Sequence, residues 1–266
     1  MKVEKLISST QNPLAKKVLA LKDKSRERKK TGLFVVEGHR EIEMAQKGSY
    51  HFEVLLHVPE ITSFSIQRFL ENQPETEVVQ LSKTVYEKIA HRGSTEGVLA
   101  ICKAKEHGLA QIKLQSNPLI LVAEAPEKPG NIGALLRTAD AANLDAVLIA
   151  NPKSDLYNPN SIRSSVGCLF TTQVGIGTSE EIIQFLKQRE IKIKCAALSA
   201  SKTYTESDFT QPTAIVVGTE STGLSDEWLK NSDENLIIPM RGQIDSMNVS
   251  VSAAILIFEA GRQRGF

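Results

Sequence analysis

The second half of the chain contains five short apolar runs separated by segments with helical character. The runs lie at residues 119–123, 146–150, 191–198, 214–217 and 236–240. Continuous apolar strands of this kind are typical of a parallel sheet covered by helices on both faces. The densely apolar segment 246–262 is predicted to form a last helix with much of its circumference buried. We therefore expect an α/β domain over residues 117–266.

The first half predicts a smaller α/β unit. A β-branched run ending in Gly38 is followed by a helix-like segment at 40–47. Further strands are expected at 52–57, 77–81 and 98–103, with helices at 65–71 and 83–90. Residues 106–116 are more polar, contain Gly108 and precede Pro118, so they form the predicted linker between a domain at 1–105 and the domain at 117–266.

The composition restricts the class of protein. The 266 residues are 41% hydrophobic and 24% charged, which is typical of a globular protein of one or two domains. The sequence has no apolar run of about 18 residues, and its first residues lack the apolar core of a signal peptide. We therefore expect a cytoplasmic protein without a membrane span.

The positions of cysteine and histidine limit the chemistry. Cys102, Cys168 and Cys195 are far apart and lack metal-ligand spacing, so we expect buried free thiols and neither disulfides nor a zinc site. All five histidines precede residue 116. Chemistry in the second half must therefore proceed without histidine, and no metal is predicted.

Positive charge is concentrated near the N-terminus. Residues 1–30 contain ten Lys or Arg and three acidic residues, although the whole chain has a net charge of only +1. Arg26, Arg28, Lys29 and Lys30 crowd a helix-like segment that would attract a phosphate backbone. A solvated helix face explains the same pattern equally well.

A polar loop at residues 129–137 is the first of three in the second half. Asn131 is placed to cap a helix there, and Arg137 follows among apolar residues. Two roles are open to Arg137. It either pairs with Asp140 three residues later or binds a phosphate or carboxylate with its guanidinium.

The other two polar loops occupy residues 218–223 and 238–250. Gly218 and Glu220 follow an apolar run, at the end of a strand where open α/β sheets bind ligands. Glu220 either favours the N-terminus of the next helix or takes part in chemistry. Ser246 and Asn248 in the third loop are good helix caps, so neither residue alone indicates a site.

Several common fingerprints are missing from the sequence. There is no phosphate-binding Gly-x-x-x-x-Gly-Lys-Ser/Thr motif, and Gly175-Ile176-Gly177 lacks the third glycine of a dinucleotide-binding turn. Gly-x-Ser-x-Gly and His-Glu-x-x-His are absent as well. These absences disfavour a Rossmann or P-loop protein, a triad hydrolase and a zinc protease.

Together, the three loops resemble the three motifs of the SpoU-type (TrmH-type) RNA ribose 2'-O-methyltransferases of the SPOUT superfamily. The matching residues are Asn131-Ile132-Gly133-Ala134 with Arg137-Thr138-Ala139, Gly218-Thr219-Glu220 with Gly223, and Ile238-Pro239-Met240 with Ser246-Met247-Asn248-Val249-Ser250. The first hundred residues resemble an L30e-like substrate-binding domain through Asn12-Pro13 and Phe34-Val35-Val36-Glu37-Gly38. Met247 stands where the family usually has leucine, and Asn143-Leu144 replaces a usual Phe-Gly.

The resemblance implies a fold, a cofactor and an assembly. The second domain is expected to contain a trefoil knot, which general rules of chain connection do not predict. S-adenosylmethionine is expected in that knot, with Gly218, Ile238 and Met247 as its contacts. The family usually forms homodimers with the active site near the subunit interface.

The resemblance also implies roles for the polar residues. Because a guanidinium does not deprotonate at neutral pH, Arg137 is expected to bind phosphate and polarise the 2'-hydroxyl of the ribose. Asn131, Ser246 and Asn248 are expected to orient groups. Glu220 is expected to order Arg137 or to accept a proton.

The expected reaction is methyl transfer to a ribose 2'-hydroxyl in RNA, with 23S-type rRNA favoured by the attached N-terminal domain. Two alternatives are methylation of tRNA or of a base, and a non-catalytic RNA-binding protein that assists ribosome assembly. The joint presence of the three motifs argues against the last alternative.

Overall fold

The structure is a computed structural model that describes residues 5–90, 96–219, 221–244 and 246–265. The chain divides into two compact units. The first consists of Met1–Lys105 and Asp155–Thr171, and the second of Glu106–Ser154 and Thr172–Phe266. The segment 155–171 thus packs with the first half of the chain although it lies well inside the second half of the sequence.

The described residues form twelve strands. Five belong to the first unit: β1 (Lys5–Ile7), β2 (Leu33–Glu37), β3 (Phe52–His57), β4 (Glu77–Leu81) and β5 (Val98–Lys103). Seven belong to the second: β6 (Leu119–Glu124), β7 (Ala146–Ala150), β8 (Val174–Gly177), β9 (Lys192–Ala196), β10 (Lys202–Thr203), β11 (Thr213–Val217) and β12 (Glu234–Ile237).

The same residues form ten α-helices. In chain order they are α1 (Pro13–Asp23), α2 (Ser25–Thr31), α3 (His39–Lys47), α4 (Ile66–Asn72), α5 (Lys83–Ile89), α6 (Pro129–Ala141), α7 (Pro159–Ser164), α8 (Ser179–Lys187), α9 (Asp226–Asn231) and α10 (Val249–Arg264). Their ends follow ordinary capping chemistry. For example, Asn248 caps the start of α10, and Gly265, with a φ of 88°, ends it in the left-handed conformation.

The first unit is built on a mixed sheet with the strand order β1-β4-β3-β5-β2. Strands β1, β4 and β3 run parallel, whereas β5 is antiparallel to both β3 and β2. The apolar faces of β3, β4 and β5 are buried together with apolar residues of α1 and α5. The predicted smaller α/β domain is confirmed.

Arg28 joins α2 to the segment 155–171 within the first unit. Its side chain is buried, and its Nε donates a hydrogen bond of 2.6 Å to Asp155. Its Nη1 donates to the carbonyl oxygens of Leu21 at 2.6 Å and Lys22 at 3.0 Å. Arg28 therefore holds the fold of this unit, whereas Arg26, Lys29 and Lys30 are exposed.

The second unit contains a seven-stranded sheet with the order β10-β12-β9-β11-β6-β7-β8, and all of its strand pairs are parallel. Apolar residues of the central strands are buried beneath α8 and α9 on one side, while α10 packs against α6 and β11. The predicted parallel sheet is confirmed. The trefoil knot stays a prediction.

The three cysteines are free and buried, as predicted. Burial raises the pKa of the Cys195 thiol to about 12. A thiol with such a pKa stays protonated near neutral pH and is a poor nucleophile. No helix within the described residues is long and apolar enough to cross a membrane.

Candidate active site

Four neighbouring strands of the second unit end at the same edge of the sheet. Their order is β12-β9-β11-β6, and because they are parallel their carboxyl ends lie side by side. Open α/β sheets bind ligands at this edge. The polar loops predicted at 218–223 and 238–250 follow β11 and β12 at this edge. The prediction of a loop at 129–137 is wrong, because these residues form most of α6, whose first turn follows β6. The fold nevertheless brings the three segments together.

A cavity of about 570 Å³ lies among these loops. Its volume falls within the range of roughly 300–1,000 Å³ that is usual for small-molecule sites. Gly218, Ile238 and Met247 all line this cavity, and so does Ser246. Apolar walls are added by Leu198, Leu229, Leu236, Met240 and Val249. The three residues predicted to contact a cofactor thus face one common space.

The loop after β11 is folded tightly onto itself. The backbone N–H of Thr219 donates to the carbonyl of Gly223, and the N–H of Gly223 donates back to Thr219, both at 3.1 Å. A Cβ atom on Gly218 would overlap the carbonyl group of Gly223 and lie 2.5 Å from the backbone nitrogen of Leu224. Gly218 is therefore required by the close approach of two backbone segments at the wall of the cavity.

A second cavity of about 310 Å³ adjoins the first. Gly218, Thr219, Ser221 and Val249 line both cavities. The remaining wall comes from the segment that joins β6 to α6, and from Asn131 within α6. Two ligand groups can therefore lie side by side, separated by these four shared residues.

Asn131 and Asn248 connect the first and third loops directly. The side-chain amide of Asn248 donates a hydrogen bond of 3.2 Å to Oδ1 of Asn131. Oδ1 of Asn248 accepts from the backbone N–H of Ser250 at 3.0 Å and from its hydroxyl at 2.6 Å. Asn248 consequently serves two purposes, because it caps α10 and fixes the orientation of Asn131.

The helix that carries Asn131 and Arg137 begins earlier than the sequence suggests. Lys128 occupies the N-cap position of α6, and Pro129 is the first helical residue. The expectation that Asn131 caps this helix is wrong, because the fixed φ of proline favours the first helical position and moves the start two residues upstream. The amide of Asn131 is therefore available for the contact with Asn248.

Arg137 lies on the exposed side of α6. Six residues of helix separate it from Asn131, which corresponds to a rise of about 9 Å and a different face. Arg137 lines neither cavity, and within the described part of the chain it forms no ion pair with Asp140 or any other acid. Its guanidinium is exposed to solvent. Glu220 lies outside the described residues.

A buried carboxylate that sequence reasoning missed anchors the loop after β11. Glu124, the last residue of β6, is 7% exposed, and its carboxylate accepts a hydrogen bond of 2.8 Å from the backbone N–H of Ser225. It also accepts from the hydroxyl of Ser179, which in turn accepts from the indole N–H of Trp228 at 2.8 Å. Glu124 thereby fixes the point at which the loop leads into α9.

No group of three or more potential metal ligands is present among the residues that the structure describes. The polar groups at the two cavities are amides, hydroxyls and backbone groups, together with the carboxylates of Glu124 and Glu127 and the ammonium of Lys128. Such a set suits an organic ligand with an apolar part and several hydrogen-bonding groups.

Two family descriptions match the chain. The SpoU rRNA Methylase family matches residues 118–258, and the MRM3-like substrate binding domain matches residues 12–100. The two matches agree with the two kinds of sheet found in the structure, one in each half of the sequence.

Known proteins resemble the chain over nearly its whole length. A 23S rRNA (guanosine(2553)-2'-O)-methyltransferase, RlmP of Bacillus subtilis, is 30% identical, and the match covers 96% of this chain and 98% of the relative. A crystal structure of an RNA 2'-O ribose methyltransferase is 36% identical with a TM-score of 0.85, covering 98% of this chain and 100% of the other.

The SpoU methyltransferase AviRb of Streptomyces viridochromogenes, whose structure contains S-adenosylmethionine, is 28% identical with a TM-score of 0.87. That match covers 96% of this chain and 98% of the other. The likeness therefore extends over both units rather than over the three polar segments alone. On the family match and the full-length relative, the chain belongs to the SpoU rRNA methylase family.

Proposed function

We propose that this protein transfers a methyl group from S-adenosylmethionine to a ribose 2'-hydroxyl of 23S-type rRNA. The observation that carries the proposal is the pair of adjoining cavities, one lined by Gly218, Ile238 and Met247 and the other by Asn131. Membership of the SpoU rRNA methylase family supports the class of reaction. The full-length likeness to a 23S rRNA methyltransferase supports the choice of RNA. The corresponding cellular location is the cytoplasm.

The larger cavity fits S-adenosylmethionine. Ile238, Met240 and Met247 offer apolar walls to an adenine ring, and the backbone around Gly218 offers hydrogen-bonding groups at close range. When bound, the cofactor supplies an electrophilic methyl group on a sulfonium. Ser246 lies in the same wall and is assigned the orientation of a polar group of that ligand.

The smaller cavity is assigned to the ribose. Asn131 is held by Asn248 and lines this space, so its side chain is oriented before the RNA arrives. Such preorganisation lowers the cost of aligning a hydroxyl with the methyl donor next door. Glu220, which lies outside the described residues, is assigned the ordering of Arg137 or the acceptance of the hydroxyl proton.

Arg137 is assigned to the phosphate next to the reacting ribose. Its exposure and its lack of an acidic partner within the described chain leave the guanidinium able to form bidentate bonds with phosphate oxygens. Arg137 lines neither cavity of its own chain, so the hydroxyl that it is assigned to polarise, without acting as a base, is one bound at the site of a second subunit. Because α6 shows this residue to solvent, the position also suits a contact shared with a second subunit.

We also propose a homodimer that buries the exposed face of α10. Val251 and Phe258 are 48% and 49% exposed and lie seven residues apart, which places them on one side of the helix. Val251→Lys/Phe258→Lys is expected to yield a monomer in light scattering after gel filtration. Leu6→Lys, a change at an apolar residue of the first unit that is 61% exposed, should leave a dimer. A monomeric wild-type protein would refute the proposal.

The first unit is assigned to RNA binding. Arg26, Lys29 and Lys30 are exposed on α2 and form a positive surface, whereas Arg28 is committed to Asp155. Replacing the three exposed residues by glutamine should weaken RNA binding and flatten its salt dependence, with unchanged affinity for S-adenosylmethionine.

The decisive experiment incubates the protein with labelled S-adenosylmethionine and separate rRNA and tRNA pools from cells that lack it, followed by digestion to nucleosides. A 2'-O-methyl nucleoside from 23S rRNA is the expected product. Arg137→Ala should abolish most of the label, whereas Arg189→Ala, at an exposed arginine outside both cavities, should not. Label in tRNA, or on a base, would show that the substrate is not a ribose of 23S rRNA. Cofactor binding without label on any RNA would favour an assembly factor.

A further inference from the structure

A large groove between α3 and α4 of the first unit has no part in the reaction proposed above. Its volume is about 930 Å³, and its lining is more polar than apolar. One wall is a face of α3 that carries His39, Glu43, Gln46 and Lys47. The other wall is α4 together with the loop that leads into it.

The groove is lined by positive side chains that other residues leave unengaged. Lys47 and Arg68 both line it and are exposed. In the described part of the chain neither of the two forms an ion pair. Glu43 is the acidic residue among the described lining residues. The groove therefore attracts an anion, and two cations from opposite walls can contact successive phosphates.

Aromatic rings form part of the same surface. Phe64 is half-buried and lines the groove, with its ring centre 5.4 Å from that of His39 and 5.9 Å from that of Phe69. Phe69 is fully buried against Phe52, so it supports Phe64 from below. The amide of Gln46 donates to the carbonyl oxygen of Phe69 at 3.3 Å and fixes the spacing of the two helices.

We propose that this groove binds an unpaired stretch of the RNA substrate, with phosphates on Lys47 and Arg68 and a base against Phe64. Single-stranded nucleic acid is recognised by this combination of cations and an aromatic ring, whereas a duplex keeps its bases stacked inside. The inference rests on the proposed function, because it takes RNA to be the substrate. It adds a second RNA contact to the positive surface of α2.

The test measures binding of a labelled single-stranded oligoribonucleotide of about ten nucleotides to the full chain by fluorescence anisotropy, without any methyl transfer. Lys47→Glu/Arg68→Glu is expected to weaken binding at least about tenfold and to reduce the slope of log affinity against log salt by about 1.4, the value for two phosphates on a single strand. Phe64→Leu, which keeps an apolar contact with Phe69, is expected to weaken binding about fivefold or more.

The matched control is Lys83→Glu/Lys88→Glu, which changes the charge of exposed lysines on α5 of the same unit by the same amount. This control should bind the oligonucleotide with an affinity within about twofold of that of the wild type. Phe64→Leu should leave the affinity for a duplex of equal length unchanged. Wild-type affinity in the groove variants, or an equal loss in the control, overturns the proposal. If the wild-type protein binds the oligonucleotide through the groove but transfers no methyl group to any RNA, the proposed function is overturned and the proposal for the groove is not.

Discussion

The side-chain amide of Asn248 donates a hydrogen bond to Oδ1 of Asn131, 3.2 Å away, although 117 positions separate the two residues in the sequence. The bond joins the N-terminal turns of α10 and α6, two helices that pack against each other. It therefore ties the wall of the smaller cavity to the loop that closes the larger one.

The Asn131–Asn248 bond predicts that the two residues act as a unit. Asn131→Ala and Asn248→Ser should each slow methyl transfer by about tenfold, and the double variant should be hardly slower than either, because the second change removes a bond already lost. Serine retains the ability to cap α10, so stability should change little. Single-turnover rates measure the coupling, and multiplication of the two losses would contradict it.

The addition of a single methyl group at Gly218 is predicted to lower the affinity for the cofactor. A methyl group there collides with the carbonyl of Gly223, so Gly218→Ala must shift the loop that separates the two cavities. We expect affinity for S-adenosylmethionine to fall by at least about tenfold, as is usual when binding geometry is displaced. Isothermal titration calorimetry measures it.

Gly242→Ala is the matched control for Gly218. It lies in the third loop, and a Cβ atom there meets no other atom within 4 Å. The control should bind the cofactor like the wild type. Equal affinities for all three proteins would show that the loop after β11 tolerates a shift and does not shape the cavity.

Glu124 predicts a combined effect on stability and cofactor binding. Glu124→Gln removes the charge that strengthens its bonds with Ser225 and Ser179, and about 1–3 kcal/mol of stability should be lost. Because the loop after β11 is then less firmly held, cofactor affinity should fall as well. Glu127→Gln breaks an exposed ion pair with Lys153, which is worth about 1 kcal/mol or less, and because Glu127 lines the smaller cavity this variant is a control for stability alone.

Unfolding of the second unit can be followed selectively. Trp228 is the single tryptophan of the chain, is fully buried, and donates to Ser179 in the network around Glu124. Its fluorescence during urea denaturation therefore reports on this unit. Unchanged stability and cofactor affinity in Glu124→Gln would remove the positioning role assigned to that carboxylate.

Arg264 predicts that the last turn of α10 is essential for stability. Its guanidinium donates four hydrogen bonds, to the carbonyl oxygens of Phe209, Asn117, Pro118 and Gln211, at 2.8, 3.0, 3.3 and 2.6 Å. Arg264→Ala should destabilise the second unit by about 3 kcal/mol, since several carbonyls lose their partner together.

A nearby arginine provides the control for Arg264. Arg262 is 71% exposed and pairs with Glu259 on the same helix, so Arg262→Ala should lower stability far less than Arg264→Ala. The comparison uses the midpoint of the Trp228 fluorescence transition in urea. A loss in Arg264→Ala no larger than that in Arg262→Ala would contradict the prediction.

Most strands could be predicted from sequence because burial on both faces produces continuous apolar runs. The strands at 52–57, 77–81, 98–103 and 146–150 agree with the structure to the residue. The exceptions have physical reasons, and one of them is β1, which was not predicted and has only three residues, two of them exposed. Strand β8 contains Gly175 and Gly177, which weaken its apolar signal, and β10 has only two residues. Strand β12 begins at Glu234, a charged residue that no apolar run includes.

The site was predictable only as far as its motifs. The resemblance to the family motifs predicts a role for Gly218, Ile238, Met247 and Ser246, and the structure brings them to one cavity. Glu124 carried no such signal, because its role depends on Ser225, 101 residues away. The charge pattern around Arg28 likewise gave no indication of its role. Its neighbours in sequence are exposed, and only the fold reveals its buried partner, Asp155.

Glu234 predicts how the stability of the second unit depends on pH. Burial acts to raise the pKa of this carboxyl, but hydrogen bonds from Lys194, Lys202 and Ser207 outweigh it and lower the pKa from 4.5 to about 2. The charged form therefore stabilises the fold fully above pH 4.5, and this contribution is lost as the pH falls towards 2.

Glu234→Gln should lower stability at neutral pH and flatten the fall in stability between pH 4.5 and 2. It should do so because glutamine has no charge to lose and cannot accept the same bonds from two lysines. Glu227→Gln, at an exposed position on α9, should leave the profile unchanged. Urea midpoints from Trp228 fluorescence across this pH range provide the measurement. A profile in Glu234→Gln as steep as that of the wild type would mean that other carboxylates dominate acid unfolding.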